Sequence, residues 1–141
     1  MTQEDKELLI KDLSARLSYG VKINNEIQGD FAIYGICENY VFARTTNTHA
    51  DFTIEKIKQY LFPLSSMTEE QEDEWYDVFS APLSKTLDRH TRQEYLQFQA
   101  DAQTFGIEYL LKNHFDYRGL IEKGLAIDAT NLNIYIDLLK L

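Results

Sequence analysis

Val21-Lys22-Ile23-Asn24-Asn25-Glu26-Ile27-Gln28-Gly29-Asp30-Phe31-Ala32-Ile33-Tyr34-Gly35-Ile36-Cys37-Glu38-Asn39-Tyr40-Val41-Phe42-Ala43-Arg44 is the stretch that decides the fold. Short runs rich in β-branched and aromatic side chains are separated by Gln28-Gly29-Asp30 and by Glu38-Asn39, both good turn formers. Val21, Ile23 and, past Asn24-Asn25, Ile27 read as one strand. Phe31, Ile33, Tyr34 and Ile36 read as a second, and Tyr40 to Arg44 as a third. A short fourth around residues 51–53 follows the loop 45–50. Connections this tight join antiparallel neighbours, so the expectation is a three- to four-stranded antiparallel meander. Such a sheet needs cover for its apolar face, which the flanking segments must supply as helices.

Upstream, Thr2 with Asp5 three residues later makes an approximate capping box, and Leu9, Ile10, Leu13 and Leu17 recur at helical spacing. Residues 3–17 therefore read as an N-terminal helix, with Lys6, Lys11, Asp12 and Arg16 mostly on its polar side and Tyr19-Gly20 ending it. Downstream, Ile54, Ile57, Tyr60 and Leu61 suggest a short helix or turn-rich segment over 53–61. After Pro63, Thr68 and Gln71 mark the start of an acidic helix with Trp75, Val78 and Phe79 on its buried stripe, and Ala81-Pro82 reads as a stop. From Ser84, Leu87, Thr91, Tyr95, Phe98, Ala102, Phe105 and Tyr109 predict one long helix, or two broken near Asp101, ending at Asn113-His114. Asp116 then caps a short helix through Leu120 and Ile121, closed by Gly124, and the alternation of Leu132, Ile134, Ile136 and Leu138 suggests a late edge strand. The fold expected is α+β: an N-terminal helix, the meander, and a helical C-terminal half. It spans residues 1–141 as a single domain, with Pro63 as the one sub-boundary the sequence offers.

Composition agrees with an ordinary globular chain: 141 residues, 44% hydrophobic, 26% charged, one cysteine. Cys37 has no partner for a disulfide and ends an apolar strand, the setting of a small buried hydrophobe. No apolar run approaches the roughly 18 residues that span a bilayer, and the first residues lack the pattern of a signal peptide. A cytoplasmic setting is expected. Net charge is −9. Residues 1–62 hold 7 bases and 9 acids (−2), and residues 63–141 hold 7 bases and 14 acids (−7). Much of the excess is Glu69, Glu70, Glu72, Asp73, Glu74 and Asp77. Nucleic-acid binding rests on Lys and Arg displacing counterions, so this balance argues against a nucleic-acid partner. It argues equally against an anionic membrane surface.

Chemistry-bearing motifs are sparse. His49 with Asp51, and His114 with Asp116, form two H-x-D pairs that could serve a small-ligand or metal-dependent enzyme if they met in space; both fall in expected turns, where Asp is ordinarily a cap. Cys37 has no histidine near it in sequence, and G-x-S-x-G, P-loop and G-x-G-x-x-G motifs do not occur. No cofactor or metal is implied. The acids of residues 69–77 suit a solvated helix face and the positive end of the helix dipole, and they also suit docking of a basic protein partner. Nine Tyr, eight Phe and one Trp include Tyr34 and Tyr40 on the sheet, which fit cross-strand pairing or a protein-binding patch. A nucleic-acid charge mimic would need acids spread along a whole face, which one short helix does not provide.

Three stretches carry a resemblance: Lys11-Asp12-Leu13-Ser14-Ala15-Arg16-Leu17 with Tyr19-Gly20-Val21; Tyr60-Leu61, Pro63 and Ser65-Ser66-Met67-Thr68-Glu69-Glu70; and His114-Phe115-Asp116-Tyr117-Arg118-Gly119-Leu120-Ile121-Glu122-Lys123-Gly124-Leu125-Ala126. Together, over about a third of the chain, they resemble a family of small proteins of gut Bacteroides-type bacteria and their phages and mobile elements. The chain departs from that pattern at Ser18, Gln59 and Phe62, where the family more often has Pro, Pro and Arg. The resemblance implies an accessory protein of bacterial or phage origin and transfers no activity or catalytic residue. Among its residues, Arg118 could pair with a carboxylate or face a partner. The functional expectation is a non-catalytic interaction protein whose contacts include Glu70, Glu72, Glu74, Tyr34, Tyr40 and Arg118.

Overall fold

The computed structural model describes residues 1–84 and 92–135, without the side chains of 79–84, 92, 95, 98 and 99. It is an α+β arrangement: α1 (Gln3–Arg16), β1 (Lys22–Asn25), β2 (Gly29–Cys37), β3 (Tyr40–Arg44), β4 (His49–Thr53), β5 (Lys58–Pro63), α2 (Glu69–Ser84), α3 (Arg92–Lys112), β6 (Phe115–Asp116) and β7 (Ala126–Asp128). No described helix is long and apolar enough to cross a membrane.

Both halves of the α1 capping box form: the Asp5 amide donates to Thr2 Oγ1 at 3.0 Å, and the Thr2 amide to the Asp5 carboxylate at 3.4 Å. β1 to β4 make the antiparallel meander. Its first turn, over 26–28, lies two residues earlier than its sequence suggests. Asn25 Oδ1 accepts from the amides of Ile27 and Gln28, so Ile27 sits exposed in the turn and Gly29, with φ +94°, opens β2. A bulge between Ile33 and Gly35 leaves Tyr34 unpaired and turned outward. Cys37, at the end of β2, is exposed rather than buried.

The segment after β4 is a short 3₁₀ turn (Ile54–Lys56) and then a fifth strand, in place of the expected helix. β5 is covered on both faces, with Gln59, Tyr60 and Leu61 all buried, and a strand buried on both sides loses the alternation that would betray it. It pairs antiparallel with β1, and parallel with β7 through Gln59–Leu61 and with β6 through Phe62 and Pro63. The sheet is therefore mixed, ordered β4-β3-β2-β1-β5-β6, with β7 also on β5.

α1 covers one face. Leu9 and Leu13 meet Ile23, Ile33, Val41, Ile57 and Leu61 of the sheet segment, with Leu120 and Leu125 of the later loop closing the core. Each such side chain, fully buried, contributes about 1.5–3 kcal/mol. The C-terminal half is only partly helical. α2 continues through Pro82 to Ser84, past the expected stop at Ala81-Pro82. α3 ends at Lys112, as its spacing predicts; the part of the expected long helix over 85–91 lies outside the described residues. Beyond it, Asp116 does cap, but it caps a turn: its carboxylate accepts from the Leu120 and Ile121 amides at 3.0 and 2.9 Å, and no helix follows. Residues 132–135 form no strand, and the rest of the expected late strand, 136–141, lies outside the described residues.

Candidate functional site

The acidic helix begins as its sequence dictates. The Gln71 amide donates to Thr68 Oγ1 at 3.1 Å and the Thr68 amide to Gln71 Oε1 at 2.9 Å, a complete capping box. α2 then packs chiefly against α3, and α3 rests on β6 and α1, so the two helices form a hairpin held to the body through α3. Two polar ties fix the hairpin: Trp75 Nε1–H donates to the Gly106 carbonyl at 3.2 Å, and the Tyr109 hydroxyl donates to Glu74 Oε2 at 2.8 Å. Burial and the Glu74 carboxylate raise the Tyr109 hydroxyl to about 12. Glu74 is thus engaged with α3, while Glu69, Glu70, Glu72, Asp73 and Asp77 are exposed. Tyr76 stands 63% exposed among them, and Val78, expected on the buried stripe, is exposed as well. Phe79 lies among the side chains outside the description. On α3, Leu96, Phe105 and Ile107 are also exposed. The hairpin therefore offers acidic and apolar groups together.

The outer face of the meander is the second exposed cluster. The bulge aims the Tyr34 ring at the Arg44 guanidinium (5.5 Å), at His49 edge-on (5.8 Å) and at Phe42 (6.4 Å). Gly35 permits the last contact, since a Cβ there would lie 3.1 Å from the Phe42 ring. Tyr40 is exposed at the start of β3.

The H-x-D pairs are not brought together. His49 and Asp51 lie on β4, two apart on one strand face, while His114 precedes β6 and Asp116 ends it. β4 and β6 stand at opposite ends of the sheet order, five inter-strand steps apart, or roughly 24 Å at about 4.8 Å per step. Asp116 is occupied with backbone amides, and no group of three or more candidate ligands gathers among the described residues.

Charged residues converge instead in the interior. Asp12 and Arg16, expected on the polar side of α1, are fully buried. Asp12 Oδ2 accepts from Arg16 Nε and from Gln59 Nε2, each at 2.8 Å, and Oδ1 accepts from Arg118 Nε at 3.0 Å. Arg16 Nη2 donates to the Phe115 carbonyl at 2.6 Å. Both guanidinium groups lie over the Tyr117 ring, at 5.8 and 4.8 Å. Arg118 therefore pairs with a carboxylate inside the molecule. The sequence did contain a signal for part of this: Leu9, Asp12, Leu13 and Arg16 are spaced i, i+3, i+4 and i+7, one helical face. One carboxylate shared by groups from α1, β5 and the loop after β6 ties these elements together.

The chain matches no protein-family model, no curated protein and no solved structure.

Proposed function

We propose that this protein is a non-catalytic interaction or accessory protein, cytoplasmic and of bacterial or phage origin, whose principal contact is the acidic face of α2 and whose partner is a basic protein. The observation that carries this reading is the hairpin itself. Five carboxylates of α2 face solvent beside Tyr76 and Val78, on an element packed chiefly against the other helix. Acids alone would serve solubility; acids interleaved with exposed aromatic and aliphatic groups suit a partner surface. The outer sheet cluster of Tyr34 and Tyr40 is a second contact area on the same reasoning. The resemblance of the 11–21, 60–70 and 114–126 stretches to small proteins of Bacteroides-type bacteria and phages supports the origin. Neither nucleic acid nor membrane is proposed as a partner.

The test is a capture of partners from bacterial lysate at low and moderate salt, followed by hydrogen exchange on the complex. Protection of α2 amides in the bound form supports the reading. Recovery of no partner at either salt, or a footprint that leaves α2 unchanged, contradicts it.

A further inference from the structure

We propose that the cleft between the last turn of α3, the β5–β6 pair and residues 130–135 binds a small anionic ligand carrying a planar apolar group, of the class of an aromatic carboxylate or an aryl phosphate. The cleft encloses about 480 Å³, within the range usual for small-molecule sites. Its walls are aromatic: Phe62 lies 6.2 Å from Phe115 and 6.0 Å from Tyr135, and the His114 ring stacks on Tyr135 at 3.6 Å with the planes 10° apart. Such walls accept a flat ring. Its polar lining comes from Ser66, Gln71, Lys112, Asn113 and Thr130.

Charge selects the anion. The chain carries nine more acids than bases, yet among the described residues no Asp or Glu lines this cleft, and Lys112 does. Lys112 also offsets the negative end of the α3 dipole. Behind the wall, Arg16 donates to the carbonyl of Phe115, and Asp12 is one carboxylate against the two guanidinium groups of Arg16 and Arg118. Arg16 Nη1 is buried with no hydrogen-bond partner among the described residues, as is His114 Nδ1. The other buried carboxylate nearby, Asp116, is taken up by the Leu120 and Ile121 amides. Burial first, then Arg16 and Lys22, push the His114 imidazole down to about 4. The ring is neutral at pH 7 and offers one donor and one acceptor without competing for the anion's charge. The site borders the hairpin through Gln71 and Lys112, and neither proposal depends on the other.

The experiment is a ¹H–¹⁵N NMR titration of the whole chain with benzoate, phenyl phosphate, inorganic phosphate and benzyl alcohol. Saturable shifts at the amides of residues 112–115 and 130 are expected with benzoate or phenyl phosphate, together with a rise in the His114 pKa on binding. Benzyl alcohol, with the ring but no charge, should bind at least ~10-fold more weakly, and Lys112→Glu should weaken the anions by a similar factor. Lys112 is exposed, so the variant should fold. No response to either aryl anion overturns the proposal, as does equal binding of benzyl alcohol or an unaffected Lys112→Glu variant. Inorganic phosphate binding as tightly as phenyl phosphate overturns its aromatic half.

Discussion

Asp12 and Gln59, 47 residues apart in the chain, are joined by a 2.8 Å hydrogen bond between α1 and β5, and both side chains are fully buried. The same carboxylate oxygen takes Arg16, and its neighbour takes Arg118, so a single acid holds the N-terminal helix, a central strand and the loop after β6. Removing one partner of a buried ion pair strands the other charges without compensation.

Asp12→Ala should therefore cost about 3–5 kcal/mol, a large share of the roughly 5–15 kcal/mol available to a domain of this kind. Arg118→Ala, which removes a partly exposed partner and leaves Arg16 and Gln59 in place, should cost about 1–2 kcal/mol. Urea unfolding followed by circular dichroism measures both. Equal losses for the two variants would contradict the hierarchy.

Asp116→Ala strands the amides of buried Leu120 and half-buried Ile121, at about 1–3 kcal/mol for each orphaned donor. Asp116→Asn retains one acceptor and should recover part of the loss. A variant as stable as the parent would show that the carboxylate does not hold this loop.

The pH dependence follows from His114. Its folded-state pKa, about 4, lies below the ordinary value of 6.5, so below pH 6.5 the unfolded chain takes up a proton that the folded chain refuses. Its contribution is complete above pH 6.5 and lost as pH falls from 6.5 to 4. The loss is on the order of 2 kcal/mol, reduced from the full linkage value because the ring is only partly buried. His114→Gln should flatten that window in urea midpoints taken between pH 7 and 5. An unchanged slope would contradict the assignment.

Protection should be uneven. The hairpin packs chiefly on itself, whereas β1, β2 and β5 are flanked by other strands and covered by α1. Amides of α2 should exchange at a lower protection factor than those of β1 and β5 under native conditions. Equal protection would mean that the hairpin opens only with the whole domain.

The sequence made the frame legible where local physics decides. Thr2 with Asp5 and Thr68 with Gln71 place two helix starts, and the apolar runs between Gln28 and Arg44 place the meander, because caps and turns act within a few residues. β5 escaped because Ile54, Ile57, Tyr60 and Leu61 mimic helical spacing, and a strand covered on both faces shows no alternation. The 120–124 turn reads as helical from sequence because Asp116 carries the same capping signal in either case. The charges of Asp12 and Arg16 point to solvent, whereas their spacing with Leu9 and Leu13 points inward. The bond from Arg118 to Asp12 crosses 106 residues and exists only once the sheet has closed, so no local pattern announces it. Of the contact residues expected from sequence, Glu70, Glu72, Tyr34 and Tyr40 are exposed, Glu74 bonds to Tyr109, and Arg118 is turned inward.

Contact of the proposed basic partner with the carboxylates of α2 is open to charge reversal. Its most direct measurement compares the captured partner's affinity for the parent with that for a Glu70→Lys, Glu72→Lys, Asp73→Lys variant, which moves the net charge from −9 to −3 and spares Glu74. Three lost surface pairs should weaken binding by about 10- to 100-fold at low salt, with the gap narrowing as salt rises. The melting temperature should fall by only a few degrees, roughly what reversed charges near a helix start cost. Undiminished affinity in that variant, at low salt and with the fold intact, would contradict the account.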